Sequence, residues 1–176
     1  MSQLIVISAI GSDRTGVVQD LTKVILAGDG NIEESRMTTL GSEFAMLLLV
    51  SGNWATLNKL EQGINKLARS AELTVTIRPT DARVPVGDRM PYAVDIVSLD
   101  QPGIVFSLAN FFTARDVEIA DVATRSYAAA HTGSPMFAVQ MAINVPASVH
   151  VAQLREEFME ICDRLNLDAI LEPVKA

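Results

Sequence analysis

The stretch SAIGSDRTGVVQDL, residues 8–21, joins a run of apolar residues to the start of an amphipathic helix. After Gly16, apolar residues recur at the i, i+1, i+4, i+7 and i+8 spacing of one helix face. They are Val17, Val18, Leu21, Val24 and Ile25. The polar residues before them therefore mark a turn between a strand and a helix. The first backbone N–H groups of that helix lack intrahelical partners.

The same pattern returns 87 residues later in the chain. At this shift Gly16 falls on Gly103 and Asp13 on Asp100. The apolar face also returns, as Ile104, Val105, Leu108, Phe111 and Phe112. Because the turn residues and the helix face repeat at the same shift, the sequence indicates a tandem duplication.

Each half has the order strand, helix, strand, strand, helix, strand. In the first half we expect strands at 3–9, 31–40, 43–50 and 73–78, and helices at 15–28 and 54–70. In the second half we expect strands at 92–98, 117–128, 135–145 and 167–172, and helices at 103–115 and 148–165. This order predicts an α+β chain of two tandem ferredoxin-like βαββαβ domains. Each would be an antiparallel four-stranded sheet with two helices on one face.

The two domains are predicted at residues 1–79 and 92–176. Between them, TDARVPVGDRMP (residues 80–91) contains two prolines, a glycine and four balanced charges, which is typical of an exposed linker. The helices would leave one sheet face and an edge strand uncovered in each half. We therefore expect the halves to pair through their sheets, and each half alone to be only marginally stable.

Composition excludes several classes of function. The chain is 49% hydrophobic and 20% charged, which is typical of a globular protein. Its net charge of −7 and its lack of a Lys/Arg run argue against direct nucleic-acid binding. The apolar runs at 4–7 and 44–50 are too short to cross a membrane, and the first lacks the preceding basic residues of a secretory signal. With Cys162 the single cysteine, we expect a cytoplasmic protein.

The sequence offers no catalytic apparatus. No nucleophile–base pair or phosphate-binding loop can be assembled from it. His131 and His150 have no partners at metal-ligand spacing, and Cys162 lies beside the apolar face of a predicted helix, where a core thiol is expected. We therefore predict a protein that is not an enzyme, with no catalytic residues, no metal and no cofactor.

Two other features have structural interpretations. Glu156, Glu157 and Glu160 lie mostly off the apolar face of their predicted helix, which predicts a solvated face or a contact for a basic partner. Trp54 follows SGN at the start of a helix and is predicted to anchor that helix against the sheet.

The repeated βαββαβ order and three short motifs resemble the ACT domain, a small amino-acid-sensing module. The motifs are DRTG (13–16) and DQPG (100–103) after the first strand of each half, and GNIEES (30–35) at the second strand. The resemblance covers nearly the whole chain, twice. A two-domain chain with no attached enzyme is most similar to the glycine cleavage system transcriptional repressor family. This similarity implies a cytoplasmic regulator that senses glycine and acts on a DNA-binding transcriptional activator protein without binding DNA itself.

The resemblance also implies a ligand site in the first half. Its turn would hold a small carboxylate through backbone N–H groups and the helix dipole. Its asparagine could donate to a carboxylate and accept from an ammonium group. The residues are Gly11, Ser12, Asp13, Arg14, Thr15 and Gly16 in the turn, with Asn31 and Ile32 at the second strand.

The equivalent positions of the second half depart from this pattern. Glu118 stands where the first half has Asn31. A glutamate could pair with an ammonium group but would repel a carboxylate, so the second site is the poorer candidate. Its residues would be Asp100, Gln101, Pro102, Gly103, Glu118 and Ile119.

A simpler interpretation of the turns remains open. Asp13 and Thr15 could cap the helix, glycine could turn the chain, and Pro102 suits a first helical turn. The protein would then be a ligand-free, ACT-like interaction module that only pairs with another protein. ACT pairs form within one chain or between two, so the sequence is also compatible with a homodimer.

Overall fold

The computed structural model describes residues 3–84 and 87–174. The chain divides into two compact units, residues 1–84 and 85–176. The last strand of the first unit ends at Thr80 and the first strand of the second begins at Arg89. Residues 85 and 86 of the predicted linker lie outside the described residues.

Both units show the predicted element order. The first comprises β1 (Gln3–Ser12), α1 (Val17–Ala27), β2 (Asn31–Leu40), β3 (Glu43–Gly52), α2 (Trp54–Ser70) and β4 (Thr74–Thr80). The second comprises β5 (Arg89–Leu99), α3 (Ile104–Thr113), β6 (Glu118–Ala128), β7 (Pro135–Pro146), α4 (Val151–Leu165) and β8 (Asp168–Pro173). None of the described helices is both long and apolar enough to span a membrane.

Each unit is built on one four-stranded antiparallel sheet. The strand orders are β2-β3-β1-β4 and β6-β7-β5-β8. The first strand of each unit is therefore central: Ile7 of β1, for example, lies opposite Leu48 of β3 and Ile77 of β4. The predicted tandem ferredoxin-like fold is confirmed.

Alternate residues of the central strands and one stripe of each helix form the two cores. In the first unit the core is aliphatic apart from Phe44, and it includes Ile7, Leu21, Leu48 and Ile64. In the second unit the rings of Phe112 and Phe158 stack with centroids 5.5 Å apart. Burying each such side chain contributes about 1.5–3 kcal/mol. The helices thereby cover one face of each sheet.

One member of the predicted acidic helix face has a specific partner. Glu157 of α4 accepts a hydrogen bond from Arg115, at 2.7 Å, and another from Gln153, at 2.8 Å. These bonds lower the pKa of Glu157. The Arg115 guanidinium also lies 3.9 Å from the centroid of the Phe111 ring. Glu157 therefore joins the end of α3 to α4, while 33% of its side chain remains exposed.

Trp54 does not anchor α2 against the sheet, because 73% of its side chain is exposed. The buried stripe of α2 runs through Thr56, Leu60 and Ile64. Trp54 lies two residues before Thr56, a helical rotation of about 200°, so it points to the opposite side. The N-terminus of α2 is fixed by Asn53, whose side-chain oxygen accepts a hydrogen bond from the Thr56 N–H at 2.9 Å.

All four helices end through a residue in the left-handed backbone region. In each case the next residue donates its N–H to a carbonyl five positions earlier, as Leu73 does to Ala68 at 2.9 Å. This arrangement satisfies carbonyl groups that a helix end would leave without donors. The left-handed residues are Asp29, Glu72, Asp116 and Asn166.

Because Glu72 has a φ of 53° and a Cβ that disfavours this region, Glu72→Gly should stabilise the first unit. We expect the free energy of unfolding in urea to rise by about 0.5–1 kcal/mol. Asn166→Gly is the matched control, since asparagine tolerates the left-handed region and should gain less. An equal or larger gain at Asn166 would contradict this account of the helix ends.

Candidate ligand-binding site

The predicted ligand turn is shorter than the sequence indicated. Gly11 and Ser12 are the last residues of β1, opposite Phe44 and Glu43 of β3. Only residues 13–16 form the connection to α1. At its start the N–H of Asp13 donates to the carbonyl of Ser42 at 2.9 Å, which holds the turn against the β2–β3 hairpin.

Position 16 favours glycine because of its backbone conformation, and not because a neighbouring atom leaves no space for a side chain. It is the N-cap of α1 with φ 92°, a conformation that costs glycine little and other residues more. A Cβ built on it would meet only the Arg14 guanidinium, at 3.9 Å. Gly103 before α3 has φ 91° and nothing within 4 Å of its ideal Cβ. Both turns therefore present an open approach to a helix N-terminus.

Among the residues that the structure describes, no side chain caps α1 or α3, so the capping role considered for Asp13 and Thr15 is wrong. At α1 the carbonyl of Gly16 accepts from the N–H of Asp20 at 2.9 Å. Within the described part of the chain, the N–H groups of Val18 and Gln19 find no acceptor. Two donors and the positive end of the helix dipole are thus available to an anion.

The two turns differ in charge. In the first, Arg14 pairs with Asp20 of α1, with an N–O distance of 2.7 Å. At the position equivalent to Arg14 the second turn has Gln101, whose amide donates to the carbonyl of Leu165 at 2.8 Å. Asp100 accepts a hydrogen bond from Ser126 at 3.0 Å. Both turns are therefore bound to the rest of their units, and they differ in that the first has a cation, Arg14, where the second has a neutral amide.

The structure does not bring Asn31 to the turn of its own unit. Asn31 lies opposite Ser51 of β3, which lies opposite Leu4 of β1. Eight residues of strand separate Leu4 from Ser12, or about 26 Å at the rise of an extended strand. Glycine spans only about 4 Å. One small ligand therefore cannot contact both the turn and Asn31 within one unit.

The second unit repeats this separation. Glu118 lies opposite Asn144 of β7, which lies opposite Pro91 of β5. The turn at Asp100 follows Leu99, at the other end of β5. The six residues of the predicted second site thus belong to two opposite ends of the sheet.

Asn31 has polar neighbours that sequence reasoning missed. Its side-chain amide donates to Glu33 at 2.9 Å, and the hydroxyl of Ser51 donates to the same oxygen. The two hydrogen bonds, that from Ser51 foremost, lower the pKa of Glu33. A register shift between Ile32 and Glu34 places Glu33 in a bulge, where its side chain can fold back. The GNIEES motif contains Glu33, but only the strand register identifies Ser51.

Cys162 is fully buried in the core of the second unit, as predicted. Burial, with a smaller contribution from the charge of Asp163, raises the pKa of its thiol to about 11. A thiol in this environment is a poor nucleophile. Among the described residues, no group of three or more His, Cys, Asp or Glu side chains is placed to hold a metal ion.

The comparisons with known proteins agree with this fold. The sequence model of the ACT domain matches residues 3–78. Over 78 residues the chain is 31% identical to UPF0237 protein MK1213 of Methanopyrus kandleri, covering 43% of this chain and 87% of that protein. Residues 3–78 therefore belong to the ACT-domain family.

Similarity to one curated relative extends over both domains. The chain is 28% identical over 172 residues to the glycine cleavage system transcriptional repressor of Escherichia coli, covering 97% of this chain and 90% of that protein. This similarity and the ACT domain support a regulatory role.

Two crystal structures show the same fold over the whole chain. One, of a putative glycine cleavage system transcriptional repressor, has a TM-score of 0.74 at 24% identity, covering 100% of this chain and 99% of the other. The other, an unknown protein from Galdieria sulphuraria, has a TM-score of 0.81 at 24% identity, covering 99% and 100%. The second unit therefore shares the ACT-like fold of the first.

Because the Ser51 hydroxyl stabilises the charged form of Glu33, Ser51→Ala should raise the pKa of Glu33 toward its ordinary value. The measurement is a carboxyl ¹³C NMR titration of the full chain. Ser35→Ala, also in the first unit, is the control and should leave that pKa unchanged. An unchanged Glu33 pKa in Ser51→Ala would contradict the hydrogen-bonding scheme.

Proposed function

We propose that this ACT-domain protein is an amino-acid-sensing regulator of transcription that acts by contact with a DNA-binding transcriptional activator. The observation that carries the proposal is the sequence similarity over 97% of the chain to a protein named as a transcriptional repressor. Glycine is the first candidate ligand, because that relative is named for the glycine cleavage system.

The charge of the chain favours a protein partner over DNA. A net charge of −7 opposes approach to a phosphate backbone, which gains most of its affinity from Lys and Arg contacts. All twelve helices and strands of the described residues belong to the two ACT-type units. Regulation by this chain would therefore pass through a protein that itself binds DNA.

The two ends of the first sheet suit the two charged groups of an amino acid. The N–H groups of Val18 and Gln19, with Arg14 beside them, would receive the carboxylate. Asn31 and the anionic Glu33 would receive the ammonium group. These two half-sites lie about 26 Å apart in one unit, as the strand rise requires.

A ligand that uses both half-sites must therefore lie between two copies of the chain. One copy would supply the turn and its partner would supply the start of β2. The edge strand β2 is exposed along its whole length, from Asn31 to Leu40, so its unpaired backbone groups are accessible to a second copy. The protein would then work as a homodimer with two equivalent sites.

A ligand-free interaction module is the second candidate function. In its favour, polar groups of the site already have partners within the chain: Arg14 pairs with Asp20, and Asn31 donates to Glu33. On this interpretation, the same surfaces would serve only to contact another protein.

A complementation experiment tests the proposed site. Gly16→Asn should block the turn while keeping its backbone, because asparagine tolerates positive φ. Asn31→Ala removes the opposite half-site. We expect each variant alone to lose glycine binding at this site in isothermal titration calorimetry. A mixture of the two should recover roughly a quarter of these sites after random exchange of chains, because each mixed dimer keeps one intact site.

Gly103→Asn is the matched control, since it makes the same change at the equivalent turn and should leave these sites intact. Circular dichroism and thermal melting establish that every variant is folded. If the mixture recovers nothing, the site does not lie between two copies. If wild-type protein binds no amino acid but still binds its protein partner, the ligand-free module is correct.

A further inference from the structure

A groove of about 600 Å³ lies between α1 and α2 of the first unit, and we call it the α1–α2 groove. Val24, Gly28 and Gly63 form part of its floor, and the exposed Lys59 and Lys66 lie on its rim. A Cβ built on Gly63 would lie 2.7 Å from a methyl carbon of Val24, so the two helices approach closely at this point.

The second unit has two bridging side chains where the α1–α2 groove has glycines. At the shift of the repeated turns Gly28 corresponds to Arg115, and aligning the buried residues of α2 and α4 matches Gly63 with Glu157. Arg115 and Glu157 form an ion pair at 2.7 Å between the end of α3 and α4. In the first unit neither glycine can bridge the helices, which leaves the groove open.

The rim of the groove is basic in a chain that is acidic overall. Helix α2 has three basic side chains and one acidic one, whereas the whole chain has a net charge of −7. Lys59 lies 3.8 Å from Asp29, but both side chains are more than half exposed, so water weakens this pair. No described residue forms an ion pair with Lys66. Both ammonium groups are therefore accessible to an acidic partner.

The exposed face of α4, in the second unit, has the complementary chemistry. Two carboxylates flank Met159, a large apolar side chain that is 37% exposed. Successive members of this face are four, three and four residues apart, which places them in one stripe along the helix. The acidic stripe consists of Ala152, Glu156, Met159 and Asp163.

The side of α2 that lines the groove has the same spacing of four, three and four residues. Two helices that pack antiparallel with matched stripes bring their members together in pairs. In this register each lysine of the rim lies opposite a carboxylate, and the apolar side chain lies opposite the glycine. The facing pairs are Lys59 with Asp163, Gly63 with Met159, Lys66 with Glu156, and Ser70 with Ala152.

We propose that the α1–α2 groove of one copy of this chain binds the acidic stripe of α4 from a second copy. Met159 of one copy enters the groove over Gly63 of the other, where no side chain occupies the space. The lysines and carboxylates are seven residues apart on their helices, or about 10.5 Å, so both ion pairs form together. The contact needs no amino acid and is independent of the proposed function.

Charge reversal tests this contact by sedimentation equilibrium of the full chain, at low ionic strength and without amino acids. Lys59→Glu with Lys66→Glu makes the groove acidic, and Glu156→Lys with Asp163→Lys makes the stripe basic. Each double variant alone should associate roughly tenfold more weakly than wild type, since both ion pairs become repulsive. An equimolar mixture of the two should associate again, because each groove then meets a stripe of opposite charge.

A single chain with all four substitutions keeps the net charge of wild type and should recover self-association. Lys23→Glu is the matched control, since Lys23 is an exposed helical lysine of the same unit that does not line the groove. It should leave association unchanged, whereas Met159→Ala should weaken it severalfold. Added salt should weaken the wild-type contact, because its ion pairs are exposed to solvent.

The outcomes separate this inference from the proposed function. Recovery of association in the mixture and in the chain with four substitutions supports the helix contact. A wild-type chain that stays monomeric at every concentration without amino acids would overturn it, and so would folded double variants that associate like wild type. If glycine still drives association in those double variants but not in Asn31→Ala, the helix contact is wrong and the proposed intermolecular site stands.

Discussion

The antiparallel pairing of β1 with β3, repeated by β5 with β7, is the constraint on which the rest of the structure depends. It buries Ile7 and Leu48 side by side and gives the helices a face to cover. It also places the turn before the first helix and the start of the edge strand at opposite ends of the sheet. Polar groups that suit one small ligand are therefore separated by about 26 Å within a unit.

The duplication kept this framework while its polar groups diverged. The turn before α1 has the cation of Arg14, whereas the turn before α3 has Gln101, which is bound to the end of α4. At the other end of the sheet the guanidinium of Arg89 in the second unit donates to the backbone carbonyl and the carboxylate of Asp116.

The sequence predicted features that depend on local patterns. Alternating apolar residues and helical spacing identified all twelve elements, because such periods arise from single strands and helices. Pairs joined by the strand register could not be predicted, and these include Ser51 with Glu33 and Asn144 with Glu118. The prediction that Trp54 packs against the sheet was wrong. It rested on the size of the side chain, whereas the direction of that side chain depends on where the helix begins, which Asn53 determines.

Sedimentation equilibrium of the full chain, with and without glycine, tests most directly whether the ligand joins two copies. A ligand bound between copies must stabilise the dimer, by about 2.7 kcal/mol per site when its concentration is a hundred times its Kd. We therefore expect the dimer dissociation constant to fall as glycine is added, and this dependence to disappear in Asn31→Ala. Glycine that binds through the Gly16 turn and Asn31 without changing the dissociation constant would contradict the account.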